Sequence, residues 1–373
     1  MKIAYFTDNF PPRLGGVATY SFEMPRHFKK IMPEMDIEIF VFGQEDKEES
    51  IDGLKIFRIK KKSLFDEGAK IFNIIRKGKY DIAHGTTFFP IGFFVSCFSR
   101  LFGVKPFQTV YGTETVTSQG RLITRIVKFL TLILNQKTFA FSESTKRLTL
   151  NRYKINPEKI QVIYPAISKR EPSNIYNVRK KFNLASDDFV VLFVGRLVER
   201  KGALDLIKAV EQTADGKIKL ILVGGGESLT EFQEYVNQRG LAGRIFFTGA
   251  VPYEEVENYY RSAQLFSMPS FFNKSIEDIE GLGIVYLEAQ MAGVPVLGSD
   301  SGGIPEAISD GQSGFVVRAR DVEALAEKIK FLKNNPDQVK AMGEQAKKFV
   351  EENFNWEINI KKHLAEYAGK QSV

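Results

Sequence analysis

Phe189–Val194 reads FVVLFV, Gly195–Gly202 reads GRLVERKG, and a helical pattern opens at Ala203–Val210. An unbroken apolar run of β-branched and aromatic residues suits a strand covered on both faces, the environment inside a parallel sheet flanked by helices. A glycine-bounded loop leading from such a strand into a helix is the basic step of an α/β fold. Downstream, strands are expected at Lys219–Val223, Ile245–Phe247, Leu265–Met268 and Pro295–Gly298, with helices between them. Upstream, the same alternation predicts strands at Lys2–Thr7, Asp36–Phe42, Leu54–Ile59, Asp81–His84, Phe107–Val110, Thr138–Phe141 and Ile160–Tyr164. Helices are expected at Val17–Lys30, Glu67–Lys77, Ile91–Phe102, Arg121–Gln136 and Ser144–Tyr153. Between the two series Pro165–Tyr176 (PAISKREPSNIY) loses its apolar periodicity and reads as a connector. The fold class is therefore α/β, with two Rossmann-like domains divided at residues 168 and 169. Ligands of such sheets bind beyond the carboxyl ends of the strands, so two facing sheets would place a ligand in the cleft between them.

Composition narrows the class. The 373 residues are 43% hydrophobic and 26% charged, which excludes a disordered or fibrous chain. One cysteine, Cys97, and three histidines, His27, His84 and His363, cannot build a disulfide framework or a Cys/His zinc cluster, and a reducing, cytoplasmic compartment is expected. Met1–Thr7 runs straight into a strand pattern without the long apolar stretch and small-residue cleavage site of a secretory signal, so secretion is not expected. Thr86–Val104 is the most apolar stretch, but Pro90, Ser96, Ser99 and Arg100 interrupt it, so a buried helix is expected in place of a membrane span. The net charge of +7 is uneven: residues 1–170 hold 28 Lys and Arg against 16 Asp and Glu, a balance of +12, and the remainder carries −5. A basic first half suits an anionic surface. Lys55–Lys62, Arg76–Lys79 and the amphipathic Arg121–Gln136 could hold the protein on the inner face of a membrane, or could simply be solvated. No recognition-helix or aromatic-interleaved motif points to nucleic acid.

Three segments could carry chemistry. Gly195–Gly202 places Arg196, Arg200 and Lys201 at the positive end of the following helix, against its dipole. An anion gathered by Arg196, Lys201 and free backbone amides would explain them; a solvated basic loop is the plainer alternative. Arg200 stands where a Walker loop needs glycine before its lysine, which argues against a nucleoside triphosphatase. In Glu280–Glu288 (EGLGIVYLE), Gly281 and Gly283 permit close backbone approach to a ligand, and a helix starting near Ile284 would aim its amides at the same point. Glu288 falls in a helix apolar nearly all round and needs donors: a vicinal diol such as ribose, or a structural Arg or Lys. In Phe10–Tyr20 (FPPRLGGVATY), Gly15 and Gly16 precede a helix and could cradle phosphate, though turn-making explains most such pairs. Gly224–Gly226 lacks the GxGxxG spacing of a dinucleotide site. His84 ends a strand where a sugar contact is possible, with a core histidine as the default.

These residues together resemble a retaining glycosyltransferase of family 4. The motifs are the Gly-Gly loop, DIAH at Asp81, VGRLVERKG at Val194, GGGE at Gly224, FTGAV at Phe247, Glu-x7-Glu at Glu280 and SGGIPE at Ser301. FPPRLGG and EGLGIVYLEAQMAGVPV are most similar to the phosphatidylinositol mannosyltransferases. The resemblance implies a GT-B fold with an acceptor domain (1–168), a nucleotide-sugar domain (169–355) and a terminal helix within 356–373 that packs back on the first. It implies a GDP-mannose or UDP-sugar donor, a hydroxyl acceptor, retained anomeric configuration and no cofactor or required metal. By position it gives the donor diphosphate to Arg196 and Lys201 with Gly15 and Gly16 nearby, and the ribose to Glu288. Glu280 and the backbone of Gly281, Leu282, Gly283 and Ile284 would hold the sugar and phosphate, and Val251 would lie by the base. Tyr111, in TVYGTET, stands where the family usually has a sugar-contacting histidine, which leaves the sugar open. Competing readings are a nucleotide-sugar epimerase of similar architecture and a catalytically silent module binding anionic surfaces.

Overall fold

The computed structural model describes residues 1–13, 15–116, 122–172, 174–273 and 277–369. Leu14, Arg121 and Ser173, which belong to the Gly-Gly loop, the amphipathic helix and the connector, lie outside the described residues, as do residues 370–373. Two compact units form: Met1–Ala166 with the segment from Trp356 onward, and Ile167–Asn355.

The first unit holds β1 (Lys2–Thr7), β2 (Asp36–Gly43), β3 (Lys47–Ile51), β4 (Leu54–Lys60), β5 (Ile82–Gly85), β6 (Lys105–Val110), β7 (Lys137–Ala140) and β8 (Ile160–Val162) in the order β3-β4-β2-β1-β5-β6-β7-β8. Every neighbouring pair is parallel except β3 with β4. Strand β3, KEESI, was not anticipated; it is an edge strand turned back by Asp52 and Gly53, both at positive φ. The helix Leu64–Gly78 starts before its apolar pattern because Ser63 caps it, accepting a hydrogen bond from the Asp66 amide, with Asp66 and Glu67 in its first turn. In place of one helix over Ile91–Phe102, a wide turn at Phe88–Gly92 leads into Phe93–Leu101. Phe6, Phe40, Phe42, Ile71, Ile75 and Val95 form the core beneath these helices.

The terminal helix Trp356–Tyr367 is part of this unit. Trp356 stacks on His27 at 4.4 Å between centroids, Asn359 Nδ2 donates to the Tyr164 carbonyl at 2.7 Å, and Phe28 stacks on Tyr367.

The second unit holds β9 (Phe189–Val194), β10 (Ile218–Val223), β11 (Ile245–Gly249), β12 (Leu265–Ser267), β13 (Val296–Ser299) and β14 (Gly314–Val317), all parallel, in the order β11-β10-β9-β12-β13-β14. Val190 to Phe193 are completely buried, as the run FVVLFV required. Strand β14 had no sequence signal strong enough to name.

Each sheet reverses its winding once. In the first unit the reversal falls between β1 and β5, in the second between β9 and β12. The crevice beyond the strand ends at such a reversal is where open α/β sheets bind ligands. Among the described residues, no helix is long and apolar enough to cross a membrane.

Candidate functional site

In the second unit the two loops at the reversal are 195–202, after β9, and the described residues 268–273 and 277–283, after β12. They meet at their backbones: Gly202, at φ +73°, caps the helix Ala203–Thr213, and a Cβ there would stand 2.1 Å from the Pro269 carbonyl oxygen. Close approach explains the glycine.

The side chains of these loops form a charged cluster. Arg200 Nε ion-pairs with Asp278 Oδ2 at 2.7 Å, Arg200 Nη1 donates to Glu280 Oε2 at 3.0 Å, and Lys201 Nζ donates to the same oxygen at 2.5 Å. Burial pulls the Lys201 pKa down against the opposing pull of Glu280. For Glu280 burial pushes upward, but Lys201 and Arg200 prevail and hold the carboxyl at about 2. Asp278 and Glu280, which superficially resemble a metal pair in sequence, are therefore both engaged by cations. Arg196 differs: it is exposed and has no ion-pair partner among the described residues.

Beyond Glu280 the chain turns through Gly281 and the buried Leu282 to Gly283, at φ +86°, which caps the helix Ile284–Met291 without a side-chain hydrogen bond. The first amides of that helix, Ile284 and Val285, have no intrahelical acceptor and form a donor end suited to an anion. The SGGIPE loop supports this turn, since the Gly303 amide donates to the Glu280 carbonyl at 3.1 Å.

Glu288, one helical turn further on, is nearly buried. Tyr260 donates to its Oε2 at 3.0 Å, and Tyr253 at 2.7 Å and Arg170 at 3.1 Å donate to its Oε1. Burial pushes its pKa up, opposed by Arg170 and Tyr260. Of the two partners the sequence left open, the structure shows the guanidinium. Val251 lies half-buried between the end of β11 and Tyr253.

In the first unit Gly15, at φ +131°, caps the helix Gly16–Ile31 with no side chain in the way, so the Gly16 and Val17 amides are also open. Across the reversal Thr87 Oγ1 donates to Asp8 Oδ1 at 2.5 Å. His84 takes the default of its two readings: it is fully buried, with Nδ1 on the Tyr367 hydroxyl and Nε2 on Thr109 Oγ1 at 2.7 Å, and burial depresses its pKa strongly. It is a satisfied core histidine and a seat for the terminal helix. Tyr111 follows β6 with its hydroxyl 3.4 Å from Ser21 Oγ and its ring edge-on to Phe141. Sequence reasoning missed Arg170, Tyr253 and Tyr260, because nothing local marks partners that lie 118, 35 and 28 residues from Glu288.

Two doubly wound sheets, with glycine-capped helices at both reversals and a cation-rich loop at one, define a two-domain protein of the Rossmann-like α/β class. Residues 14–170 match Glycosyltransferase Family 4 and residues 174–349 match Glycosyl transferases group 1. Together the matches take in most of the chain, and the protein belongs to this glycosyltransferase family, with the GT-B fold. A GDP-mannose-dependent alpha-(1-6)-phosphatidylinositol monomannoside mannosyltransferase of Mycolicibacterium smegmatis is 36% identical over 188 residues, 50% of this chain and 49% of that protein. The chain thus spans about half the length of such curated relatives. An uncharacterized glycosyltransferase of Methanocaldococcus jannaschii is 26% identical over 99% of this chain and 100% of its own. Among solved structures, Anabaena HepE in complex with UDP superposes with a TM-score of 0.80 at 18% identity, covering 99% of this chain and 100% of that one. Sucrose-phosphate synthase from Thermosynechococcus elongatus gives 0.80 at 21% identity, covering 99% and 98%.

Proposed function

We propose that the protein transfers a sugar from a nucleotide-sugar donor, GDP-mannose or a UDP-sugar, to a hydroxyl acceptor, with retention and without a required metal. The observation that carries this reading is the Arg196–Lys201 loop at the reversal of the second sheet, with the open amides of Ile284 and Val285 beside it in the fold. Arg196 is uncommitted, and Lys201 is held in place by Glu280. These groups would stabilise charge growing on the departing diphosphate, the role a metal ion plays in other transferases. The acceptor oxygen attacks the anomeric carbon from the face that the diphosphate leaves. The broken C–O bond gives its electron pair to the diphosphate, whose oxygen takes the acceptor's proton. Glu288 accepts the ribose hydroxyls.

The acceptor is proposed to be lipid-linked or a glycan at an anionic membrane surface. The helix Leu122–Leu134 exposes Leu122, Ile123, Ile126, Phe129 and Ile133, with Arg125 among them, on the unit that carries the chain's excess of cations. Such a face suits the boundary of a bilayer containing acidic lipids. The phosphatidylinositol specificity named for the mannosyltransferase relatives supports the same direction. Replacing Ile123 and Ile126 with aspartate should abolish sedimentation with vesicles containing acidic lipid.

A thermal-shift panel of GDP-, UDP-, ADP- and dTDP-sugars tests the donor site, because a ligand at 100 times its Kd stabilises by about 2.7 kcal/mol. Lys201→Ala and Glu288→Gln should each remove most of the shift. A wild type indifferent to every nucleotide, or two variants that bind like it, overturns the assignment. Turnover without an acceptor would favour the epimerase reading.

A further inference from the structure

We infer that Arg170 is a latch on the Glu288 carboxylate: its guanidinium occupies the edge that a ribose diol would take, so a nucleotide must evict it. This rests on the reading of Glu288 as the ribose acceptor and adds a residue to it.

The three donors on Glu288 are not equivalent. Tyr260 is buried to 2% exposure on the helix Val256–Ser262 and reaches Oε2 from inside the fold. It is a fixed support. Arg170 is the charged partner, comes from a segment without helix or strand, and its side chain keeps 28% exposure. It therefore closes the carboxylate from the solvent side. Its guanidinium lies 3.9 Å from the centroid of the Tyr253 ring, while Tyr253 donates to the same Oε1. A carboxylate offers about four lone-pair sites, and three are filled. A vicinal diol donating two hydrogen bonds needs one site more than remains, and Arg170 is the partner that can leave without unpacking the core.

The backbone around Arg170 is pinned by another residue of the same unit. Arg261 Nη2 donates to the Arg170 carbonyl at 3.3 Å and to Glu171 Oε2 at 2.5 Å. The latch is thus built into the connector. The positive charge of Arg170 opposes the upward push of burial on this nearly buried acid. Bound hydroxyls take over that task as donors.

The test uses the full-length protein with UDP and GDP as ribose-bearing probes and inorganic pyrophosphate as a probe without ribose. Trypsin needs a free arginine side chain, so cleavage after Arg170, relative to cleavage after the neighbouring exposed Lys169, reads the latch directly. UDP or GDP should raise that ratio, and pyrophosphate should leave it unchanged. If the latch is closed in about nine molecules of ten, Arg170→Ala tightens nucleotide binding about tenfold and leaves pyrophosphate binding as it was. Weaker or unchanged nucleotide binding by Arg170→Ala, or an unchanged cleavage ratio in wild type saturated with nucleotide, overturns the latch. If those results come with nucleotide binding that Glu288→Gln abolishes, the donor site stands without it. Nucleotide binding indifferent to Glu288→Gln, or no binding at all, overturns the ribose reading and the latch together.

Discussion

Replacing Glu280 with glutamine deletes one charge from a nearly dry cluster of four. Arg200 keeps Asp278 at 2.7 Å, but Lys201, with its side chain 14% exposed, loses the carboxylate it meets at 2.5 Å. Burial pushes the Glu280 carboxyl upward, yet Lys201 and Arg200 outweigh it and hold it at about 2 against an ordinary 4.5. Glutamine mimics the protonated acid, so the gap between those values corresponds to about 3 kcal/mol of folding stability lost at pH 7. Removing one partner of a buried pair costs a similar amount, about 3–5 kcal/mol. The pH dependence has a definite sign. A carboxyl depressed in the folded state contributes fully above its unfolded value of 4.5, and the contribution drains away as pH falls toward 2. The difference between wild type and variant should therefore shrink to about 1.4 kcal/mol at pH 3. Urea denaturation followed by far-UV circular dichroism at pH 7, 4 and 3 measures it. Fluorescence of Trp356, the sole tryptophan, reports the other unit and serves as an internal reference. A variant within about 0.5 kcal/mol of wild type at pH 7, the spread of an ordinary surface substitution, would refute the reasoning, as would a difference that does not narrow on acidification.

Arg196→Ala should leave stability within about 0.5 kcal/mol, since the side chain is exposed and unpaired, yet weaken nucleotide-sugar affinity by roughly 10- to 100-fold; calorimetric titration separates the two. Gly202→Ala forces a side chain into a left-handed conformation against the Pro269 carbonyl and should lower the stability of the second unit by at least about 1–3 kcal/mol, read from its thermal midpoint. His363 is fully buried and burial holds it at about 4, below the ordinary 6.5, so the unfolded chain takes up this proton first. Stability of the first unit should be complete above about pH 6.5 and fall by about 3 kcal/mol as pH approaches 4, and His363→Gln should flatten that part of the Trp356 unfolding profile.

What could be read from the sequence followed the reach of its signals. Strand β9 announces itself because burial on both faces demands an unbroken apolar run, and β1 has the bounds its pattern predicts. Strand β3 was hidden because an edge strand needs only one partner and can be written in charged residues such as KEESI. The Arg196–Lys201 loop and the turn at Gly281–Gly283 were visible as local patterns at strand ends. Their pairing was not, since Arg200 meets Glu280 across 80 residues and Arg170 meets Glu288 across 118. His84 shows the converse: its place at a strand end suggested a ligand, while the partner that satisfies it, Tyr367, lies at the far end of the chain.

That distance has a consequence for biosynthesis. The first unit is interrupted after Ala166 and completed only by the helix beginning at Trp356. On a ribosome adding about 5–20 residues per second, the intervening stretch takes roughly 10–40 s to emerge. Throughout that interval the bed awaiting Trp356 and Tyr367, lined by Tyr20, Phe28, Phe107 and Phe139, stands uncovered on a nascent chain. An element translated after the whole second unit is the one that seals the first, and that open apolar bed is where a chaperone that meets nascent chains would find its hold.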